Sequence, residues 1–367
     1  MNDSSAIPAI PPQAPGAYAL PRPTWLARLG LGAPRHKLNL ALQGGGAHGA
    51  FTWGVLDALL DQPNLEYEGI SGSSAGAMNA VAFAHGWMLG GRDGARQGLV
   101  DFWTEIGRSM RGHNVTRGEG DAISLSPSTR MIASWAGHFS PSQLNPFALN
   151  PLREQLVRQI DFERLRHSSP FKLFIAATQA NTGKLRIFRE TELTVDMLLA
   201  SACLPKIHHP VEIDGIPYWD GGYSANPAVF PLFYDCQSPD VLLVLLSPLQ
   251  HTGTPHSVQE IEARIADLTF SAHFIREMRM FAHAAEYSRG SFLNWGRWER
   301  RLQAMRFHMV DSSQSPMLER GETRLLAHGP FLELLKEHGR QRASQWHTNH
   351  GAAVGQRSSI DLVQLFG

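Results

Sequence analysis

Three short stretches carry residue types at spacings that suit nucleophilic catalysis. One is Gly72-Ser73-Ser74-Ala75-Gly76, a G-x-S-x-G sequence. It stands between "EYEGISG", which reads as a short strand, and a small-residue run that reads as a helix, the layout of a nucleophile elbow. Gly72 and Gly76 flank the centre because so sharp a turn leaves no room for a side chain at either position. The turn lifts the hydroxyl of Ser74 to the N-terminus of the next helix, where the helix dipole favours the negative charge of attack. Ser73 faces another way. Alone, the pentapeptide is also ordinary Gly/Ser turn chemistry; the strand before it and the helix after it favour the elbow.

The second stretch, Gly44-Gly45-Gly46-Ala47-His48-Gly49, is G-x-G-x-x-G between a strand and a helix, as a dinucleotide fingerprint requires. That reading also needs an acidic residue ending the second strand to bind a ribose. Glu66 and Glu68 only precede or begin that strand. A glycine turn at a helix N-terminus equally presents bare N–H groups to the oxyanion of acyl transfer. Gly44, Gly45 and Gly46 are therefore expected to hold a tetrahedral intermediate rather than a pyrophosphate.

A serine nucleophile needs a base. The third stretch, "YWDGGYSANPAV", sets Asp220 between Trp219 and the glycines Gly221 and Gly222. By itself a D-G-G turn is hairpin chemistry; beside the other two it becomes a candidate partner for the serine. A free carboxylate is a poor base for a hydroxyl, so desolvation beside Trp219 and an acyl chain would have to raise its pKa. His48, His208 and His209 remain alternative bases, histidine being the commonest general base.

With GGGAHG at 44–49, GSSAG at 72–76 and DGG at 220–222 in that order, the chain resembles the patatin-like phospholipase family. The resemblance runs from about Lys37 to Leu246 and takes in "LLASACLPKIHHPVEIDGIPYWDGG". It implies a three-layer α/β/α sandwich, a Ser74–Asp220 dyad without histidine, and hydrolysis of acyl esters of lipids. Ser74 would be the nucleophile, Asp220 the general base, and Gly44 to Gly46 the oxyanion hole, with His48, Gly49, Gly72, Gly76, Gly221 and Gly222 supporting them. His48 departs from the arginine or lysine usual at that position. The glycine donors survive the change, but a fixed positive charge does not, since histidine is mostly neutral at pH 7.

The elements around these stretches alternate. Lys37–Gln43, Glu66–Gly72, Phe171–Thr178, Lys184–Phe188, Pro217–Trp219, Val241–Ser247 and Met305–Val310 read as strands. Ala50–Leu60, with Val55, Leu56, Leu59 and Leu60 on one face, reads as a helix. From His256 to about Arg289 an apolar period through Ile261, Ile265, Leu268, Ile275, Met278 and Ala282 predicts a long helix. Such alternation predicts an α/β fold with a largely parallel sheet covered on both faces. The expected divisions are a Pro-rich arm over 1–36 with a short amphipathic piece at Trp25–Leu31, a catalytic domain over 37–250, and a mainly helical extension over 251–367 packing on it. Residues 111–150, rich in Gly, Ser, Pro and Asn with Met131, Ile132, Trp135, Phe139 and Phe147 among them, read as a lid or as an ordered surface excursion.

The 367 residues suffice for one large domain or two smaller ones. With 33 basic and 33 acidic side chains, no global field favours nucleic acid. The two cysteines, Cys203 and Cys236, fit a reducing compartment, and no metal-ligand spacing or signal peptide is evident. "NWGRWERR" at 294–301 suits either membrane contact or, in preference, Trp295 and Trp298 packed inward with solvated arginines. The expectation is a cytoplasmic serine esterase needing no cofactor or metal, acting on a lipid or acyl-ester substrate, with peripheral membrane contact, no nucleic-acid partner and an oligomeric state left open. The alternatives are an idle lipid-binding scaffold with the same fold and, less favoured, a nucleotide-dependent oxidoreductase.

Overall fold

Near-continuous apolar strands belong in the middle of a parallel sheet, buried by helices on both faces. The computed structural model, which describes residues 36–109, 116–118, 120, 123–129, 131, 139–147, 149–251, 253–289, 296–313, 315–319 and 321–367, has them there. In chain order the main elements are β1 (His36–Leu42), α1 (Gly49–Leu60), β2 (Leu65–Ser73), α2 (Ala75–Ser109, broken at Gly90 and Gly91), β3 (Lys172–Gln179), β4 (Leu185–Arg189) and α3 (Val195–Ser201). There follow β5 (Val211–Ile213), β6 (Ile216–Asp220), α4 (Phe230–Asp235), β7 (Asp240–Val244), α5 (Val258–Arg289), α6 (Arg297–Ala304), β8 (Arg306–Val310) and α7 (Gly329–His350).

The sheet order is β8-β7-β1-β2-β3-β6-β5, with β4 also paired to β3. The pairs from β8 through β3 are parallel. Those of β3 with β4 and β6, and of β5 with β6, are antiparallel. The parallel expectation therefore holds for the body of the sheet and gives way at one edge.

Successive side chains of a strand point to opposite faces, and the core divides accordingly. Leu40, Leu42, Ile175, Leu242 and Val244 join one cluster with residues of α1, α2 and α7. Ala41, Phe174, Val241 and Leu243 join another with residues of α4 and α5. Two cores on two sheet faces make three α/β/α layers. Residues 36–367 form one compact unit.

Two sequence expectations change here. Every residue of α1 is buried, because α7 covers the face that a surface helix would turn to water. Asp57 of α1 and Asp61 just after its end take Arg96 from α2 and Arg340 from α7. The long helix α5 buries Phe274, Met278 and Ala282 but leaves Ile261, Ile265 and Leu268 exposed. Its apolar period thus covers two different faces.

The aromatic–basic stretch also differs. Trp298 is exposed, whereas Arg301 turns inward and donates to the carbonyls of Phe233, Cys236, Gln237 and Ser238. The four carbonyls at a chain reversal outcompete solvent for the guanidinium. Trp295, the Trp25–Leu31 piece, Ile132, Trp135 and much of the 111–150 segment lie outside the described residues. Among the described residues no helix is long and apolar enough to cross a membrane.

Candidate active site

Parallel strands deliver the loops at their C-terminal ends to one edge of the sheet, where open α/β folds bind ligands. β1 and β2 are neighbours, so the glycine turn after one meets the serine turn after the other. Ser74 has φ 53°, a left-handed conformation uncommon outside glycine and typical of strained functional turns. Its N–H donates to the carbonyl of Ser201 (3.1 Å) and to Ser201 Oγ (3.0 Å) at the end of α3. Ser73 is fully buried, and its hydroxyl donates to the Ala225 carbonyl at 2.6 Å. The two serines therefore have different hydrogen-bond surroundings.

The supporting glycines stand where backbone segments press together. A Cβ would lie 2.6 Å from Ala75 Cβ at Gly49, 2.6 Å from the Gly76 carbonyl at Gly72, 2.1 Å from the Leu42 carbonyl at Gly76 and 2.2 Å from the Ala176 carbonyl at Gly221.

Asp220 closes β6, with its N–H on the Cys203 carbonyl at 2.8 Å. The side chain is completely buried, Oδ1 accepting from the Gly222 N–H at 2.7 Å. Burial raises its pKa from the ordinary carboxylate range to about 7, against the opposing pull of the Gly222 N–H and the Ser74 hydroxyl. Oδ2 has no aligned hydrogen-bond partner. The serine hydroxyl therefore lies close enough to act on the carboxyl but outside ideal geometry, the loose contact common in sites without substrate.

The glycine turn packs on the elbow: a Cβ at Gly44 would fall 2.8 Å from Ser74 Cβ. Gly44 is not a spare donor, however. Its N–H is held by Asn226 Oδ1 at 2.7 Å, inside the protein. The three-donor expectation narrows to the N–H groups of Gly45 and Gly46, which have no acceptor among the described residues. Gly46 has φ 59°, and a Cβ there would sit 2.3 Å from the Arg324 carbonyl.

His48 is buried within the fold, its Nε2 2.7 Å from Thr323 Oγ1 and its ring edge-on to Phe331. Burial, with the nearby Arg324 charge, lowers its pKa to about 3. It is neutral at physiological pH, and its hydrogen bond goes to Thr323. His208 is exposed, and His209 Nε2 faces the Asn145 carbonyl at 2.9 Å. Among the described residues none of the three histidines has a hydrogen bond to Ser74.

Several residues of the site had no role in the sequence reading. Asn226 anchors Gly44, and Ser201 anchors Ser74; Asn226 stood within the quoted D-G-G stretch, but nothing in its spacing marked it. Gln43 Oε1 accepts from Leu246 (2.6 Å) and Ser247 (2.9 Å), joining the ends of β1 and β7. Thr323 and Arg324 lie 275 residues and more from the turn they support, beyond any local signal. Arg324 pairs with Asp267 of α5 at 2.6 Å and reaches Ser247 Oγ at 3.1 Å. A cavity of about 260 Å³ begins at Cys203 and is bounded by Leu149, Leu199 and His209. The larger cleft of about 700 Å³ lies between α2 and Arg158–Ile160, away from these groups.

A family model described as patatin-like phospholipase matches residues 40–233. Among solved structures, VipD from Legionella pneumophila is similar at 16% identity and a TM-score of 0.37, over 87% of this chain and 68% of VipD. A chain of the ExoU–SpcU heterodimer from the type III secretion system of Pseudomonas aeruginosa is similar at 15% identity and a TM-score of 0.31. There the match covers 86% of this chain and 51% of the other, about half its length. No curated protein sequence matches significantly.

Proposed function

The chain belongs to the patatin-like phospholipase family, and from that premise we propose that it is a serine acyl hydrolase cleaving carboxylic esters of lipids through Ser74 and Asp220. The observation that carries the reading is the buried Asp220 carboxyl, with one oxygen held by Gly222, the other unpartnered, and a pKa of about 7 under the influence of Ser74. A base works best when its pKa lies near the working pH. Burial supplies here what a histidine supplies elsewhere.

In the proposed reaction the Ser74 hydroxyl gives its proton to Asp220 Oδ2 as Oγ attacks the acyl carbonyl. The developing oxyanion takes the N–H groups of Gly45 and Gly46, donors already oriented before the charge appears. The C–O bond to the alcohol breaks and the alcohol leaves with the Asp220 proton. Water, deprotonated by the same carboxylate, then releases the fatty acid and restores Ser74. His48 stays neutral and outside the proton transfers, wedging the glycine turn against Thr323. Acting on lipid requires peripheral contact with a lipid surface, which belongs to the same proposal.

The test is labelling by a fluorophosphonate together with hydrolysis of p-nitrophenyl butyrate. Ser74→Ala should lose both, and Ser73→Ala should keep labelling if it folds. Equal labelling of wild type and Ser74→Ala refutes the assignment.

A further inference from the structure

The first half of α5 has two faces of opposite character. Its inner face touches both catalytic turns: Asp267 pairs with Arg324, whose carbonyl packs on Gly46. One turn on, the Phe270 ring covers Gly222 so closely that a Cβ there would lie 2.3 Å away, and it meets Tyr223 at a centroid distance of 4.7 Å. This face continues into the core through Phe274 and Met278.

The outer face carries Val258, Ile261, Ile265 and Leu268, which are 66%, 42%, 57% and 46% exposed. Steps of three, four and three residues put them on one stripe, about 155° around the helix from the inner face at 3.6 residues per turn. An apolar stripe that continues no core face marks a contact surface.

A second apolar group is tied to Asp220 through its backbone partner Cys203. Cys203, whose carbonyl holds the Asp220 N–H, begins a loop that exposes Ile207 and ends at His209. His209 is bonded to Asn145, and that segment exposes Phe147 at 83% and Leu149 at 70%. A lipid surface, unlike a folded partner, needs no complementary side chains opposite either group, and both groups are joined to the catalytic turns by the contacts above.

We propose that this end of the sheet is a lipid-docking surface, with Val258, Ile261, Ile265 and Leu268 of α5 seated in the interfacial region of a zwitterionic bilayer. The choice of lipid follows from charge: Glu260 and Glu262 outnumber Arg264 beside the stripe, so an anionic surface gains nothing from this helix. The proposal rests on the acyl-hydrolase reading for the purpose of docking, while the docking itself is measured without catalysis.

The experiment is flotation of the full chain with phosphatidylcholine vesicles, alongside p-nitrophenyl butyrate hydrolysis and light scattering. Ile261→Gln with Ile265→Gln keeps good helix formers at both positions. The double variant should bind vesicles about thirtyfold more weakly, the loss from keeping two half-exposed isoleucines out of an apolar phase. Its hydrolysis of the soluble ester should stay at the wild-type level, which also shows that it is folded. Phe147→Gln, in the second group, should weaken flotation too, and Ser74→Ala should float like wild type. Unchanged flotation of the double variant overturns the proposal. So does a wild type that is dimeric in solution and becomes monomeric in the double variant with vesicle binding intact. A wild type that floats but hydrolyses nothing supports docking and refutes the hydrolase reading instead.

Discussion

Replacing Asp220 by asparagine keeps the shape of the side chain and the acceptor for the Gly222 N–H, but removes the carboxylate that takes the serine proton in the proposed mechanism. Loss of a general base costs roughly two to four orders of magnitude in rate, or about 3–5 kcal/mol of activation free energy. Stability should move the other way. The folded pKa of about 7 lies above the ordinary 3.8, so the folded state holds its proton where the unfolded state has released it. Stability therefore falls as pH rises from about 4 to about 7 and levels above that, because the unfolded chain binds fewer protons across this window. Between pH 5 and pH 8 the penalty grows by two pKa units at about 1.4 kcal/mol each, or about 3 kcal/mol. Asparagine carries no such penalty. The variant should thus gain on wild type by up to that amount between pH 5 and pH 8, while hydrolysing p-nitrophenyl butyrate at least a hundredfold more slowly, the low end of the range for base loss. Denaturant unfolding at the two pH values and initial rates at pH 8 measure both effects. In wild type, kcat/KM should climb with pH and level above about 7, as a base of that pKa requires. A variant within tenfold of wild type refutes the base assignment, and a stability difference independent of pH refutes the buried, elevated carboxyl.

The proposed oxyanion turn is open to two further tests. Thr323→Val leaves His48 Nε2 buried without its partner and should cost about 1–3 kcal/mol of stability. It should also lower kcat through the turn and leave the pH midpoint of kcat/KM unchanged; a shifted midpoint would return His48 to the proton chemistry. Gly46→Ala forces a side chain into φ 59° and against the Arg324 carbonyl, so hydrolysis should fall at least tenfold as the turn moves. An active Gly46→Ala variant of unchanged stability would show that the turn does not hold the oxyanion.

The local backbone geometry was legible in the chain because it depends on neighbours in sequence. The G-x-S-x-G elbow, the separation of Ser74 from Ser73 and the glycine turn after a strand each need only a few adjacent residues. The parallel body of the sheet was legible because strands and helices alternate along the chain. Tertiary structure decided what depends on distant partners. The Gly44 N–H is bonded to Asn226, 182 residues away. His48 became a neutral wedge because Thr323 and Arg324 from beyond residue 320 enclose it. α1 became buried on all sides because α7 lies over it, and β8 extends the sheet past the end of the recognised motifs. Hydrogen-bond occupancy and desolvation are properties of the folded surroundings. A motif names the groups that can react, and only packing decides which of them are free, charged and dry.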